Sequence, residues 1–337
     1  MSLPPTLNGE RVLVALGGNA MTSPDGRATP DAQWHAIKGA MERVADLVAG
    51  GAQVALTHGN GPQVGNLLIK NQLAAHVVPP VPLDWCGAQT QGTIGMLILN
   101  ALDGALAARA VSRPVAVLVT RTLVDGGDPA FGAPTKPVGR YFPAADARRF
   151  MAMGQSWAQV GERGWRRVVA SPEPLEILDA PAVDTLMAAG YVVVAAGGGG
   201  IPVVREPGGA LRGVEAVIDK DLAAALLARH IGAAALVIAT DVEHVMIEYG
   251  TPRARPIGRA TPAELRRLAA DGQFASGSMG PKVEAALRFV AGGGDRAAIS
   301  SLDLIGDAAA GKSGTIVERD QPTGRRTREG EGSAGSD

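Results

Sequence analysis

Cysteine is almost missing. Cys86 stands alone in 337 residues, which excludes an intrachain disulfide framework and any zinc site built from cysteines, and fits a reducing compartment. Aromatic residues are scarce at 4% of the chain. No apolar run reaches the ~18 residues of a membrane span. The opening MSLPPTLNGER has neither the basic nor the apolar region of a secretion signal, so a soluble cytoplasmic protein is the expectation. Excess charge is missing too: 32 Lys and Arg against 33 Asp and Glu leave a formal charge of −1, and no sequence-wide basic field exists to hold a nucleic acid. His35, His58, His76, His230 and His244 fall at no metal-binding spacing, and no GxSxG elbow occurs. Lysine is the last scarcity. Only Lys38, Lys70, Lys136, Lys220, Lys282 and Lys312 stand against 26 arginines, and because ammonium and guanidinium do different chemistry each lysine is worth inspecting.

What is present is a 46% hydrophobic chain, long enough to bury a core in one large or two modest domains. Short apolar runs recur at 11–16, 52–57, 114–120, 191–196, 215–218, 235–240 and 296–300. Helix-period stretches lie between several of them, at 31–49, 63–75, 89–109, 221–231, 262–271 and 281–291. Strands apolar on both faces and separated by helices predict an α/β fold around a mostly parallel sheet covered on both sides. Segment 126–170 breaks this rhythm. It is rich in Pro, Gly and Arg yet holds Phe131, Tyr141, Phe142, Phe150, Trp157 and Trp165, half of the twelve aromatics, so it reads as an ordered insertion and not a slack loop. The polar, aperiodic end of the chain reads as a disordered tail.

Two strands run into glycine-rich turns, LGGNA (16–20) and THGNGPQVGN (57–66), and a third into four consecutive glycines, Gly197 to Gly200. Such turns offer backbone N–H groups to anions at the carboxyl edge of an α/β sheet. Three lysines occupy distinctive settings: Lys136 in PTKP, Lys220 in VIDKDLAAA and Lys282 in GSMGPKVEAA. The last two sit where helices start, a place where a cation opposes the helix dipole unless an anion is near. Asp221 reads equally as a functional carboxylate and as an ordinary acid of a first helical turn. His58 reads equally as an orienting group for the Gly-Asn-Gly loop and as a plain strand-end residue, while Cys86, with no base in its neighbourhood, reads as packing. Residues 306–313, GDAAAGKS, spell the P-loop pattern, but they lead into a short strand and the tail, where a P-loop requires a helix and a later strand with a metal-binding acid.

Taken in order, LVALGGNA, THGNGPQVGN, PTKPVG, GGGGIPVV, GVEAVIDKDLAA, the TDV turn followed by YGTP, and GSMGPKVEAA resemble the carbamate kinases of the amino-acid kinase family, from about residue 11 to 317. Many other members of that family carry a lysine in the first-strand turn, where this chain has LGGN. The resemblance implies an open sheet of about eight strands with helices on both faces. Residues 10–232 would bind carbamate or carbamoyl phosphate, with a protruding subdomain at about 126–170 carrying Lys136 over the site. Residues 233–317 would bind the nucleotide, and 318–337 would be the tail. By the same resemblance Gly17, Gly18, Asn19, Gly59, Asn60, Gly61, Gly198 and Gly199 would hold the carbamoyl and phosphate groups. Lys220 and Lys282, arranged by Asp221, would stabilise the transferring phosphoryl group, and Thr240, Asp241, Val242 and Tyr249 would line the nucleotide pocket. TDVE at 240–243 departs from the TGVD of some carbamate kinases. The implied partners are ATP or ADP with Mg2+ carried on the nucleotide, carbamate or carbamoyl phosphate, and a second copy of the chain near Trp85 and Cys86. Two alternatives stay open: a related kinase acting on an amino-acid carboxylate, and a nucleotide-binding sensor without activity. A dinucleotide oxidoreductase is disfavoured, since no GxGxxG follows the first strand.

Overall fold

The computed structural model describes residues 7–18, 29–274 and 279–319. The chain opens with β1 (Arg11–Leu16), α1 (Pro30–Ala49), β2 (Gln53–His58), α2 (Gly61–Ala74) and α3 (Leu83–Ala107). Next come β3 (Val115–Val117), β4 (Arg121–Val124), β5 (Lys136–Phe142), α4 (Ala144–Met151), β6 (Trp157–Gln159), β7 (Trp165–Val169) and β8 (Pro174–Ile177). They are followed by α5 (Ala180–Ala188), β9 (Val192–Val194), β10 (Ile201–Arg205), β11 (Leu211–Gly213) and α6 (Lys220–His230). The last stretch holds β12 (Ala235–Thr240), β13 (Val245–Ile247), β14 (Arg255–Ile257), β15 (Arg259–Ala260), α7 (Pro262–Ala270), α8 (Met279–Ala291), β16 (Arg296–Ser301), α9 (Ile305–Ala309) and β17 (Thr315–Glu318).

An eight-stranded sheet in the order β15-β17-β16-β12-β1-β2-β9-β3 forms the centre, and every neighbouring pair is parallel except β16 with β17. Its strands carry apolar side chains at consecutive positions because both faces are covered. In β1, Val12, Val14 and Leu16 point into the layer formed by α1, α3 and α9, where Met41, Ile98 and Ile305 are buried. Leu13 and Ala15 point the other way, into the layer of α5, α6 and α8 with Val183, Leu227 and Phe289. The same alternation runs through β2, β9 and β12.

Strand order decides where a site can form. From β1 the chain fills one side of the sheet through β2, β3 and β9, and enters the other side only at β12. The order reverses at β1, and in open α/β sheets the crevice beyond the strand ends at such a reversal is where ligands bind. Register brings three turns to one level there, since Leu16 lies opposite His58 of β2 and opposite Ala239 of β12.

Three smaller sheets surround the main one: β11-β10-β4-β8, β13-β14 and β5-β7-β6. The last of these, with α4, occupies residues 136–169. Its order comes from aromatics, with Phe142 edge-on to Phe150 and Trp157 at 5.8 and 5.3 Å and Phe150 stacked on Trp157 at 5.4 Å.

Some sequence expectations change. Residues 215–218 are not a strand, since the one β contact there is a bridge between Ala216 and Ala170. Their apolar character comes from burial of Ala216 and Ile218, while Glu215 turns outward to accept the Leu83 N–H at 2.8 Å and to pair with Arg167. The runs 114–120 and 191–196 contract to β3 and β9, and the helix expected at 89–109 begins earlier, at Leu83. Glu318 still belongs to β17, and the tail expected from there onward lies, from residue 320, outside the described residues. The P-loop look-alike is the short helix α9 and a turn that leads into strand β17. Among the described residues no helix is long and apolar enough to cross a membrane.

Candidate active site

Beyond the ends of β1 and β2, a cavity of about 300 Å³ is lined by Gly18, the Gly59-Asn60-Gly61 turn, Gly198, and residues from the starts of α6 and α8. Helix starts concentrate backbone N–H groups and the positive end of the helix dipole, which suits an anion. The first turn of α2 faces the cavity with no side-chain cap, because the Asn60 amide donates instead to Thr90 Oγ1 at 2.8 Å. Gly198, at φ +67°, lies flat against that amide, and a Cβ on it would come within 2.1 Å of Asn60 Nδ2. Only glycine lets the two turns approach so closely.

Asp221 organises the cations. Its carboxylate, buried in the first turn of α6, accepts Lys220 Nζ on one oxygen at 2.5 Å and Lys282 Nζ on the other at 3.0 Å. Burial alone would raise this carboxyl. The adjacent Lys220 and Lys282 charges, with the hydrogen bonds they donate, outweigh burial and hold it below the ordinary carboxylate range. Lys282 arrives from the first turn of α8, 61 residues away, and the shared carboxylate sets the spacing between the two ammonium groups. A third lysine, Lys136 at the start of β5, reaches the same cavity and pairs with Asp219. Three ammonium groups against two carboxylates leave the site one formal positive charge, although the whole chain carries −1.

Beneath the glycines lies a polar network with no local sequence signal. Gln91 of α3 donates to Thr120 O at 3.2 Å and Gly197 O at 2.9 Å, and accepts the Thr120 N–H at 2.9 Å. Thr120 Oγ1 accepts the Ala196 N–H at 3.0 Å, and Thr57 Oγ1 donates to Ala196 O at 2.7 Å. Thr122 Oγ1 donates to Gly199 O at 2.7 Å. These bonds tie the tetraglycine turn to α3, β2 and β4. His58 completes the support: its Nδ1–H donates to Gly59 O at 3.0 Å and its ring packs against Gly197. Complete burial lowers its pKa from 6.5 to about 4, the Gly59 bond works against this, and nearby Lys220 adds to it, so His58 is neutral near pH 7. The orienting role left open for His58 is the one this geometry supports. Cys86 is packing, fully buried with Asn71 Nδ2 at 3.5 Å, and burial pushes its thiol up.

The cavity thus brings together Gly18, Gly59, Asn60, Gly61, Gly198, Lys136, Lys220, Asp221 and Lys282. Gly17 lies just below, against Ala239 O of β12, and Gly199 is buried under the turn against Ile218. Asn19 lies outside the described residues. Thr240, Asp241 and Val242 do not line this cavity. Thr240 ends β12 and Asp241 and Val242 follow it, one strand over, where Thr240 Oγ1 donates to Asp241 Oδ1 at 3.0 Å. Tyr249 stands between β13 and β14 and is 80% exposed. Among the described residues no group of three or more His, Cys, Asp or Glu side chains could hold a metal ion, and both carboxylates of the cavity are taken up by lysines.

Known proteins resemble this chain in sequence and fold. The model of the Amino acid kinase family matches residues 10–301. A carbamate kinase of Thermococcus kodakarensis is 45% identical over 316 residues, which span 92% of this chain and 100% of that one. Carbamate kinase 1 of Enterococcus faecium is 42% identical over 314 residues, 92% of this chain and 100% of its own length. The structure of a carbamate kinase from Giardia lamblia bound to AMP-PNP superposes with a TM-score of 0.87 at 42% identity, covering 93% of this chain and 99% of that one.

Proposed function

The chain belongs to the amino acid kinase family, and on that premise we propose that it is a carbamate kinase, moving a phosphoryl group reversibly between ATP and carbamate to give ADP and carbamoyl phosphate. The observation that carries this reading is the pair Lys220 and Lys282 on one buried carboxylate, facing three glycine turns at the strand ends. The three relatives described above, each a carbamate kinase that matches nearly the full chain, support the same substrate.

The chemistry asks for little besides placed positive charge. Carbamate is already an anion, so its oxygen attacks the γ-phosphorus without a general base, the β–γ bridging P–O bond breaks, and ADP leaves. The obstacle is the approach of one anion to another: two unit charges 4 Å apart repel by about 4 kcal/mol at an effective dielectric near 20. Lys220 and Lys282, held in place before the substrates arrive, offset that repulsion as charge spreads over the transferring oxygens. Lys136 adds a third cation from the β5 side. The backbone N–H groups of the 17–19, 59–61 and 197–199 turns hold the carbamoyl and phosphoryl oxygens, with Asn19 included in the proposal on sequence grounds.

The nucleotide is assigned to residues 233–317, with Thr240, Asp241, Val242 and Tyr249 around its base and sugar. The register that sets Ala239 beside Leu16 supports this, because it puts the two turns next to each other. Residues 10–232 take the carbamoyl group, and the unit around 126–170 acts as the subdomain over the site. A magnesium ion would arrive on the nucleotide phosphates, since each of the two carboxylates in the cavity is held by lysine. Bound there, it would neutralise phosphate charge. The reading also includes a homodimer, supported by Trp85 and Met96, exposed three turns apart on one face of α3. It includes a cytoplasmic location too, and net ATP formation from carbamoyl phosphate.

A coupled assay of ATP formation from ADP tests the substrate. Carbamoyl phosphate is the expected donor. Transfer from acetylglutamyl or aspartyl phosphate alone would move the chain to a related kinase, and nucleotide binding without transfer from any donor would make it a sensor.

A further inference from the structure

Lys136 does not belong to the body that carries Lys220 and Lys282. It enters from β5 of the three-stranded unit, on a flexible four-carbon stem 35% exposed, and such a stem left to itself samples many positions. Its ammonium rests on Asp219 Oδ2 at 2.9 Å. The other oxygen of that carboxylate, Oδ1, accepts the Asp221 N–H at 3.0 Å and caps α6. One side chain therefore joins the lysine of the three-stranded unit to the backbone of the residue that spaces the other two lysines.

Capping α6 needs only one oxygen of Asp219, and asparagine or serine would cap as well. The ion pair is a second use. A partly exposed pair adds little to stability, so its consequence is the location of the Lys136 charge. The pair also spans 83 residues and joins β5 of the three-stranded sheet to the start of α6, so it links that unit to the floor of the cavity. We propose that Asp219 is a positioning residue for phosphoryl transfer, holding Lys136 Nζ over the cavity before the acyl phosphate binds. The proposal rests on the kinase reading above.

Asp219→Asn keeps the cap and removes the charge, and Lys136→Met removes the ammonium. The test measures kcat and KM for carbamoyl phosphate in the unsubstituted protein, each single variant and the double variant, together with melting temperatures. The expected result is that Asp219→Asn lowers kcat/KM about tenfold with an unchanged melting temperature. In the Lys136→Met background the same substitution costs nothing further, since no ammonium is left to position. An equal loss in both backgrounds, or no loss in either, overturns the role of Asp219 and leaves the kinase reading standing. If Asp219→Asn melts early, Asp219→Ser carries the same cycle. An unsubstituted protein that transfers nothing from carbamoyl phosphate overturns both.

Discussion

His58 and Asp221 are both buried and ionisable, and their pH behaviour runs over different ranges. The folded pKa of His58 is depressed from 6.5 to about 4, so the unfolded chain takes up its proton first as pH falls. Stability from the neutral ring is full above pH 6.5 and is lost progressively down to about 4, by roughly 3 kcal/mol in all. Asp221 is also depressed, so its contribution is full above the ordinary carboxylate value and is lost only as pH falls through the lower folded one. Through the range in which His58 acts, the carboxylate therefore keeps its two lysines. Denaturant unfolding at pH 7.5 and pH 4.5 checks this. His58→Gln is expected to remove roughly 2.5 kcal/mol of the pH dependence between these two values, whereas equal slopes in both proteins would refute the neutral, buried state. At this scale the lysines were readable from sequence because each sits in an unusual local setting. Asp219, Gln91 and Thr120 were not, because their partners lie 29 to 106 residues away and a single polar residue in an apolar helix has no periodic signature.

Among elements, the tetraglycine turn and the β5 strand depend on contacts from outside themselves. Gln91→Leu leaves the buried Thr120 N–H and Gly197 C=O without their partner, a loss expected to be about 3 kcal/mol. It would appear as a lower denaturant midpoint at an unchanged m-value. The three-stranded unit meets α2 through glycine as well: a Cβ on Gly65 would lie 2.8 Å from Gly139 Cα. That neighbour is backbone and cannot swing aside, so Gly65→Ala displaces β5 and with it Lys136. Such a displacement is expected to lower kcat/KM for carbamoyl phosphate on the order of tenfold or more, and unchanged kinetics would show that β5 tolerates the shift. Most elements of the central sheet were readable because both-face burial leaves consecutive apolar residues. The short strands β4, β8, β10 and β11 were not, since strands of three to five residues give too little alternation. The run 215–218 misled for the converse reason, because Ala216 and Ile218 are buried outside any strand.

For the molecule as a whole, near-neutral charge argues against a nucleic acid, an extended polyanion. A small polyanion needs a few placed cations, which topology supplies by gathering three of six lysines at one sheet edge. The exposed face of α3 carries the proposed self-association. Trp85 and Met96 are 60 and 52% exposed, and Met96→Glu is expected to shift the chain from dimer to monomer in sedimentation, whereas a monomer before substitution would remove that part of the proposal. The central claim is that lysines held by Asp221 supply the catalysis. Its most direct test is the rate of ATP formation from ADP and carbamoyl phosphate by folded Lys282→Ala beside the unsubstituted protein. The account predicts ready turnover by the latter and a rate lower by about 10³ in the variant, at a matching melting temperature. A folded variant within a few-fold of the unsubstituted rate would contradict it.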